Sequence, residues 1–374
     1  MFQQSSYSEK LTFFQKLRSF DYVLLLSILI LGVISNLSMY STDGGEFLYH
    51  TKSHLLRFVV FFTLMVFLSF LSLRFWHATA YLFYIIILGF LIWASLYGVT
   101  ASGSQRWINL YFINLQPSEL MKIAIIVCFA RYFHREQLTN INSLKNILLS
   151  ITILILPILL VVSQPDLGTS ILIAISGLIV LWLAGFNVRY FIYSGLALLI
   201  SLPFVISILK PYQKLRVLSF FNPDRDPLGA GYQIIQSKIA VGSGGLTGKG
   251  FLKGTQSYLE FLPEKHTDFI FTLFSEEQGF VGSVFLLVLY AILIYRILKI
   301  GSVSRSYFGK LFCYGFGSAI FVYVAVNMAM VLGLLPIVGS PLPIMSYGGS
   351  SMLATMIGLS IVMSTKIYSK QVIY

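Results

Sequence analysis

The sequence predicts an all-α polytopic membrane protein with about ten transmembrane helices. Three observations predict it. Hydrophobic residues make up 57% of the 374 positions and charged residues only 11%, where a soluble domain carries roughly a quarter charged. The mean hydropathy is +0.82. Ten stretches approach the ~20 apolar residues that a helix needs to cross a bilayer. That composition excludes a set of soluble domains, a disordered chain and a disulfide-stapled module.

The stretches lie near 22–41, 55–73, 78–98, 117–134, 146–163, 167–185, 190–209, 268–297, 308–335 and 346–366. Residues 1–20 form a polar N-terminal segment, 210–267 a large loop between spans 7 and 8, and 367–374 a tail; the whole is read as one membrane domain. The first span follows Lys10, Lys16 and Arg18 and is too long for a cleaved signal. Pro157 and Pro203 fall inside spans, where neighbouring helices can satisfy the carbonyls they free. Cys128 and Cys313 sit in apolar runs, outside any metal-spaced cluster, and read as buried thiols.

The formal charge of +12 is scattered between the apolar runs. It points to topology rather than to nucleic acid. With ten spans both termini share a side. Placing that side in the cytoplasm puts fourteen Lys and Arg, from Lys10 to Lys370, inside, against Lys52, Arg57, Arg106 and Lys122 outside. The positive-inside rule favours this orientation in the cell (inner) membrane. The 99–116, 164–166, 210–267 and 336–345 segments then face outward, where no ATP is available, so chemistry there needs an already activated substrate.

Acids near membrane depth are costly and mark candidate sites. Glu119 and Lys122 lie in QPSELMK (116–122) at i, i+3 spacing on one helix face. They read either as a buried ion pair or as contacts to an ionic head group. Asp166 opens a span in QPDLGT (164–169) and either caps that helix or contacts a cation or substrate. The run GSGGLTGKG (242–250) fails as a P-loop, since 243 is Ser and 250 is Gly. It is left as a flexible loop, or as a nest of amides near Lys249 and Lys253 shaped for a phosphate. In FLPEKHTDF (261–269), Thr267 or Asp268 is placed to cap the next helix. Asp268, beside Lys265 and His266 at the water–lipid boundary, equally suits a general base acting on a lipid-anchored substrate. Glu276 and Glu277 read as buried acids in need of partners. PIVGSPLPIMSYGGSS (336–351) reads as a broken segment lining a cavity, with Ser346, Ser350 and Ser351 near a helix start placed to receive an anion.

Together SGSQRWI (102–108), QPSELMK, QPDLGT, the 229–253 run, FLPEKHTDF and PLPIMSYGGSS (341–351) resemble the SEDS family of polytopic bacterial cell-wall proteins, over nearly the whole chain after about residue 20. GYQIIQSKIAVGSGG and KGTQSYLEFLPEKHTDFIF are most similar to its rod-shape-determining branch. The resemblance implies a peptidoglycan glycosyltransferase that polymerises lipid II outside the membrane during elongation. It places the family's catalytic aspartate on Asp268 and other functional positions on Glu119, Lys122, Asp166 and, in the outer-loop motif, Arg106. It also implies a class B penicillin-binding protein as partner within the elongation machinery. The chemistry agrees. Lipid II carries a pyrophosphate leaving group, so one base suffices, and single displacement inverts the donor carbon. Arg106, Lys122, Lys249, Lys265 and a divalent cation such as Mg or Mn would hold the pyrophosphate, although no ligand spacing specifies a metal. Two other classes fit the same features: a lipid II transporter, which the absence of paired broken helices opposes, and a non-catalytic scaffold for wall synthases.

Overall fold

The computed structural model describes residues 12–101, 104–109, 114–135, 141–208, 211–222, 229–255 and 264–373. The chain begins with α1 (Phe13–Arg18), α2 (Tyr22–Thr42), α3 (Tyr49–Ser69) and α4 (Leu73–Tyr97). Strands β1 (Val99–Ala101), β2 (Ser104–Asn109) and β3 (Asn114–Leu115) follow. Next come α5 (Pro117–Arg135), α6 (Leu144–Ser163), α7 (Leu167–Ala184), α8 (Val188–Ile208), α9 (Pro211–Phe221) and α10 (Ala230–Ser243). The chain ends with α11 (Ile270–Val303), α12 (Tyr307–Val331) and α13 (Gly349–Ile367).

Among the described residues, eight helices are long and apolar enough to cross a membrane: α2, α3, α4, α6, α7, α11, α12 and α13. The protein is a multi-pass helical membrane protein. Helices α5 and α8 occupy the other two expected stretches. In α5 four charged side chains, Glu119, Lys122, Arg131 and Arg135, interrupt the apolar run. Helix α8 runs over 21 residues, with Pro203 inside it.

Capping side chains set several helix starts: Asp21 accepts from Leu24 N, Ser72 from Phe75 N, Ser143 from Asn146 N and Asp166 from Thr169 N. Helix α5 forms the centre and is buried almost throughout its first fourteen residues. It packs against α4, α7, α12 and α13. At one end of the bundle Arg296 holds Asp21 at 2.5 Å, and Arg305 N donates to Ser369 O. The opposite end carries the α2–α3 turn, the strands, residues 244–255 and 264–269, and the stretch between α12 and α13. The strands pair antiparallel in the order β1-β2-β3, with Val99 opposite Trp107 and Ile108 opposite Leu115. They are an addition to the all-helical expectation, formed where β-branched and aromatic residues join two helices.

Two helical interruptions shape that end. Helix α11 breaks at Gly279, whose φ of 64° and ψ of −161° lie in a region only glycine adopts. The break frees four backbone groups, and the 244–250 run takes all four. Lys249 N and Gly250 N donate to the carbonyls of Glu276 and Glu277 at 3.0 Å. Phe280 N and Val281 N donate to Gly245 O and Leu246 O at 2.9 and 3.1 Å. The glycine-rich run is therefore a fitted strap, not the flexible loop that its composition suggested. Its glycines allow backbone to touch backbone: a Cβ on Gly248 would stand 2.0 Å from Glu277 O, and one on Gly279 2.3 Å from Gly248 N.

The second interruption follows α12, which ends at Val331 rather than near 335; α13 starts only at Gly349. Residues 332–348 between them are non-helical, as the prolines and glycines predicted. Protein groups satisfy this backbone, the condition for irregular chain at membrane depth. Ser35 Oγ donates to Met345 O at 3.0 Å, and Tyr290 Oη donates to Pro343 O at 2.6 Å.

A strap held by close backbone contact predicts a sharp contrast between glycines. Gly279→Ala and Gly248→Ala are expected to lose at least about 2–3 kcal/mol, read as a drop in thermal unfolding temperature in detergent. Gly89→Ala, in α4 with nothing within 4 Å of an added Cβ, is expected to be neutral or stabilising by up to ~1 kcal/mol. Equal stability of all three variants would contradict the strap.

Candidate active site

Asp268 lies in the turn 264–269 just before α11 and is half-buried. The cap of α11 is Phe269, with no side-chain hydrogen bond, and Thr267 Oγ1 turns back to Glu264. Capping by Thr267 or Asp268 is thus corrected. Three contacts fix the turn instead. Asn327 Nδ2 donates to Asp268 O at 2.9 Å and to Ser340 O at 2.7 Å. Ser346 Oγ donates to Thr267 O at 2.6 Å, and Tyr347 N donates to His266 O at 2.9 Å. A Cβ on Gly339 would stand 3.5 Å from Asp268 Oδ2, so a small residue lies against the carboxylate. The result is a carboxylate on a rigid mount.

The turn also brings Lys265, half-buried, and His266. His266 stacks on His50 of α3 with ring centroids 4.1 Å apart. Burial first, then the His50 ring and the Lys265 ammonium, pushes the His266 imidazole down to about 4. The Asp43 carboxylate pulls it the other way without prevailing. His266 is therefore neutral near pH 7.

The other expected residues fall into two buried arrangements. Lys122 Nζ lies 2.9 and 2.8 Å from the two Glu119 oxygens, both side chains are almost fully buried, and the ammonium sits 4.6 Å from the Tyr323 ring centre. A small cavity lined in part by Pro341, Pro343, Ser351 and Thr355 touches this pair. Asp166 caps α7 through Thr169 N at 3.1 Å, and it also binds Arg106 Nη1 at 2.9 Å and Gln116 Nε2 at 3.1 Å. Glu119 and Lys122 thus form a buried ion pair, and Asp166 both caps α7 and binds Arg106, tying β2, α5 and α7 together.

Three expected anion contacts sit differently from the expectation. Lys249 donates to Glu276 Oε1 and Thr255 Oγ1, each at 2.7 Å. The amides around it belong to the strap, so 242–250 is not a phosphate nest. Ser346, 3% exposed, accepts from Leu342 N while it holds Thr267. Ser350, 2% exposed, accepts from Gln116 N at 2.8 Å and donates to Asn114 O at 3.1 Å. Both hydroxyls fasten backbone, because the broken stretch needed partners more than a ligand did. Glu277 pairs with Ser41 Oγ and Leu252 N, which bears out structural pairing for that acid.

Sequence reasoning missed Asp43 and His50, and it counted Arg57 only toward topology. The α2–α3 turn carries them to the Asp268 end. Arg57 lies 4.7 Å from the Tyr347 ring centre, and His50 packs edge-on to that ring. The available signal was one of the chain's five histidines beside an acid in a short turn expected to face outward.

The chain is similar to known proteins over nearly its whole length. The family model for cell cycle proteins of the FtsW, RodA and SpoVE type matches residues 17–371. The peptidoglycan glycosyltransferase MrdB of Escherichia coli (strain K12) is 43% identical over 365 residues, covering 96% of this chain and 97% of its own. Stage V sporulation protein E of Bacillus subtilis (strain 168) is 35% identical over 274 residues, 73% of this chain and 74% of its own. Among solved structures, a chain of a peptidoglycan synthase complex that coordinates polymerization and crosslinking superposes with a TM-score of 0.81 at 30% identity, covering 94% of this chain and 99% of that one. The rod shape determining protein RodA of Thermus thermophilus gives 0.72 at 25% identity over 94% and 98%. With the family model spanning nearly every residue, this chain belongs to the FtsW/RodA/SpoVE family, the SEDS proteins.

Proposed function

We propose that the protein is a peptidoglycan glycosyltransferase that polymerises lipid II during elongation and shape maintenance. The Asp268 end faces away from the cytoplasm and both termini lie inside. The observation that carries the reading is Asp268: a half-exposed carboxylate that does not cap its helix, on a turn fastened by Asn327, Ser346 and Tyr347. Its likeness to MrdB supplies the activity class.

The acceptor hydroxyl gives its proton to Asp268 as its oxygen attacks the anomeric carbon of the donor sugar. The bond to the pyrophosphate oxygen breaks, the pyrophosphate departs on its polyprenyl chain, and the carbon inverts. No ATP enters, because the leaving group is built into the donor. Lys265 and Arg57, half-buried cations at the turn, offset the departing charge; a divalent cation, if bound there, would add to that neutralisation. Arg106, Glu119, Lys122 and Asp166 hold the scaffold beneath. A class B penicillin-binding protein cross-links the product; the likeness to a chain of a synthase complex supports that pairing.

Two outcomes test this reading. Purified protein, with its partner's cross-linking serine disabled, is expected to make glycan from lipid II, and Asp268→Asn is expected to make none at an unchanged unfolding temperature. Normal polymer from Asp268→Asn would remove the base. For the Glu119–Lys122 pair, Glu119→Gln or Lys122→Met leaves one buried charge unpaired and costs roughly 3–5 kcal/mol. The exchange Glu119→Lys with Lys122→Glu is expected to recover both stability and most activity. Recovered stability without polymer would instead put one of these charges on the substrate.

A further inference from the structure

We infer that Asp43, His50 and His266 form a binding site for one divalent transition-metal ion of the Mn2+ or Zn2+ class. Each residue offers a ligand atom, and these atoms all lie within 4.8 Å of one another. Asp43 Oδ1 and His50 Nδ1 stand 3.3 Å apart. Two ligands at about 2.0–2.1 Å from a tetrahedral ion stand roughly 3.3–3.4 Å apart, so this pair already has the spacing of neighbouring ligands.

Binding requires the stacked His50 and His266 rings, 17° apart, to turn so that both in-plane lone pairs meet one ion; the groups that would orient the ligands are in place. Asp43 Oδ2 accepts from Thr51 N at 2.9 Å and from Thr51 Oγ1 at 2.6 Å, which orients the carboxylate. Thr42 Oγ1 gives its only hydrogen to Met39 O at 2.7 Å. It must therefore accept from His266 Nδ1, 2.9 Å away. That bond fixes the tautomer and leaves the lone pair on Nε2, the device by which ligating histidines are held.

Two imidazoles and one carboxylate suit Mn2+, Zn2+ or Fe2+ better than Mg2+ or Ca2+, which prefer oxygen ligands. Of the two ions considered from sequence, this donor set favours Mn. Three protein ligands leave coordination positions open. One carboxylate leaves the ion with net positive charge, two residues along the chain from Asp268. There it would take an anionic oxygen such as that of a diphosphate. This role rests on the glycosyl-transfer reading; the binding itself does not.

The test uses the full chain in detergent, stripped with chelator and titrated with Mn2+, with bound ion read from loss of the free-ion paramagnetic resonance signal. One equivalent is expected to bind, Mg2+ in tenfold excess is expected not to displace it, and inorganic pyrophosphate is expected to tighten it. His50→Gln and His266→Gln are each expected to weaken binding by roughly tenfold or more. The His50 ring is 40% exposed, so its variant carries the test if His266→Gln unfolds. No bound Mn2+ in the unsubstituted protein, or undiminished binding in the variants, overturns the site. Because the readout is bound ion and not polymer, it stands or falls apart from Asp268.

Discussion

A single buried amide joins the two irregular segments on which the site depends. Asn327 is fully buried in α12, and its Nδ2 donates both to Asp268 O and to Ser340 O. Inside a membrane protein every backbone polar group without a partner costs several kcal/mol, because lipid offers none. The turn before α11 and the stretch between α12 and α13 both leave helical geometry, so both need donors. One side chain serves them together and thereby fixes where the Asp268 backbone stands.

The same demand accounts for much else at this end of the bundle. The break at Gly279 is filled by the 244–250 strap, and the carbonyls of the 332–348 stretch meet Ser35 and Tyr290. The ion pairs Arg106–Asp166 and Lys249–Glu276 neutralise acids that would otherwise be stranded. The same end of the bundle carries Asp268, Lys265, Arg57 and the stacked His50–His266 pair. A carboxylate, two cations and two imidazoles stand together there. Scaffold and chemistry are thus divided between residues that lie close together.

Much of this was legible in the sequence. Hydropathy located the helices because each must bury or expose apolar surface over ~20 residues. The prolines and glycines of 336–351 announced the broken stretch, and the cost of charge near lipid singled out Glu119, Asp166 and Asp268. The partners were not legible. Lys249 is 27 residues from Glu276, and nothing local says that GSGGLTGKG closes a gap in another helix rather than around a phosphate. Ser346 and Ser350 read as anion ligands because hydroxyls near a helix start look alike whether they face a ligand or a carbonyl. Asp43 and His50 escaped notice because their meaning depends on His266, more than two hundred residues away.

Asn327 holds the turn and the broken stretch as one unit. Amide hydrogen exchange of Asn327→Leu in full-length protein, compared with the unsubstituted chain, tests it most directly, since exchange reports local opening. Tyr347 and Leu342, whose amides bond to His266 O and Ser346 Oγ, are expected to lose protection while the amides of α5 keep theirs. Unchanged protection at Tyr347 and Leu342 would contradict it, as would loss of protection across the whole bundle.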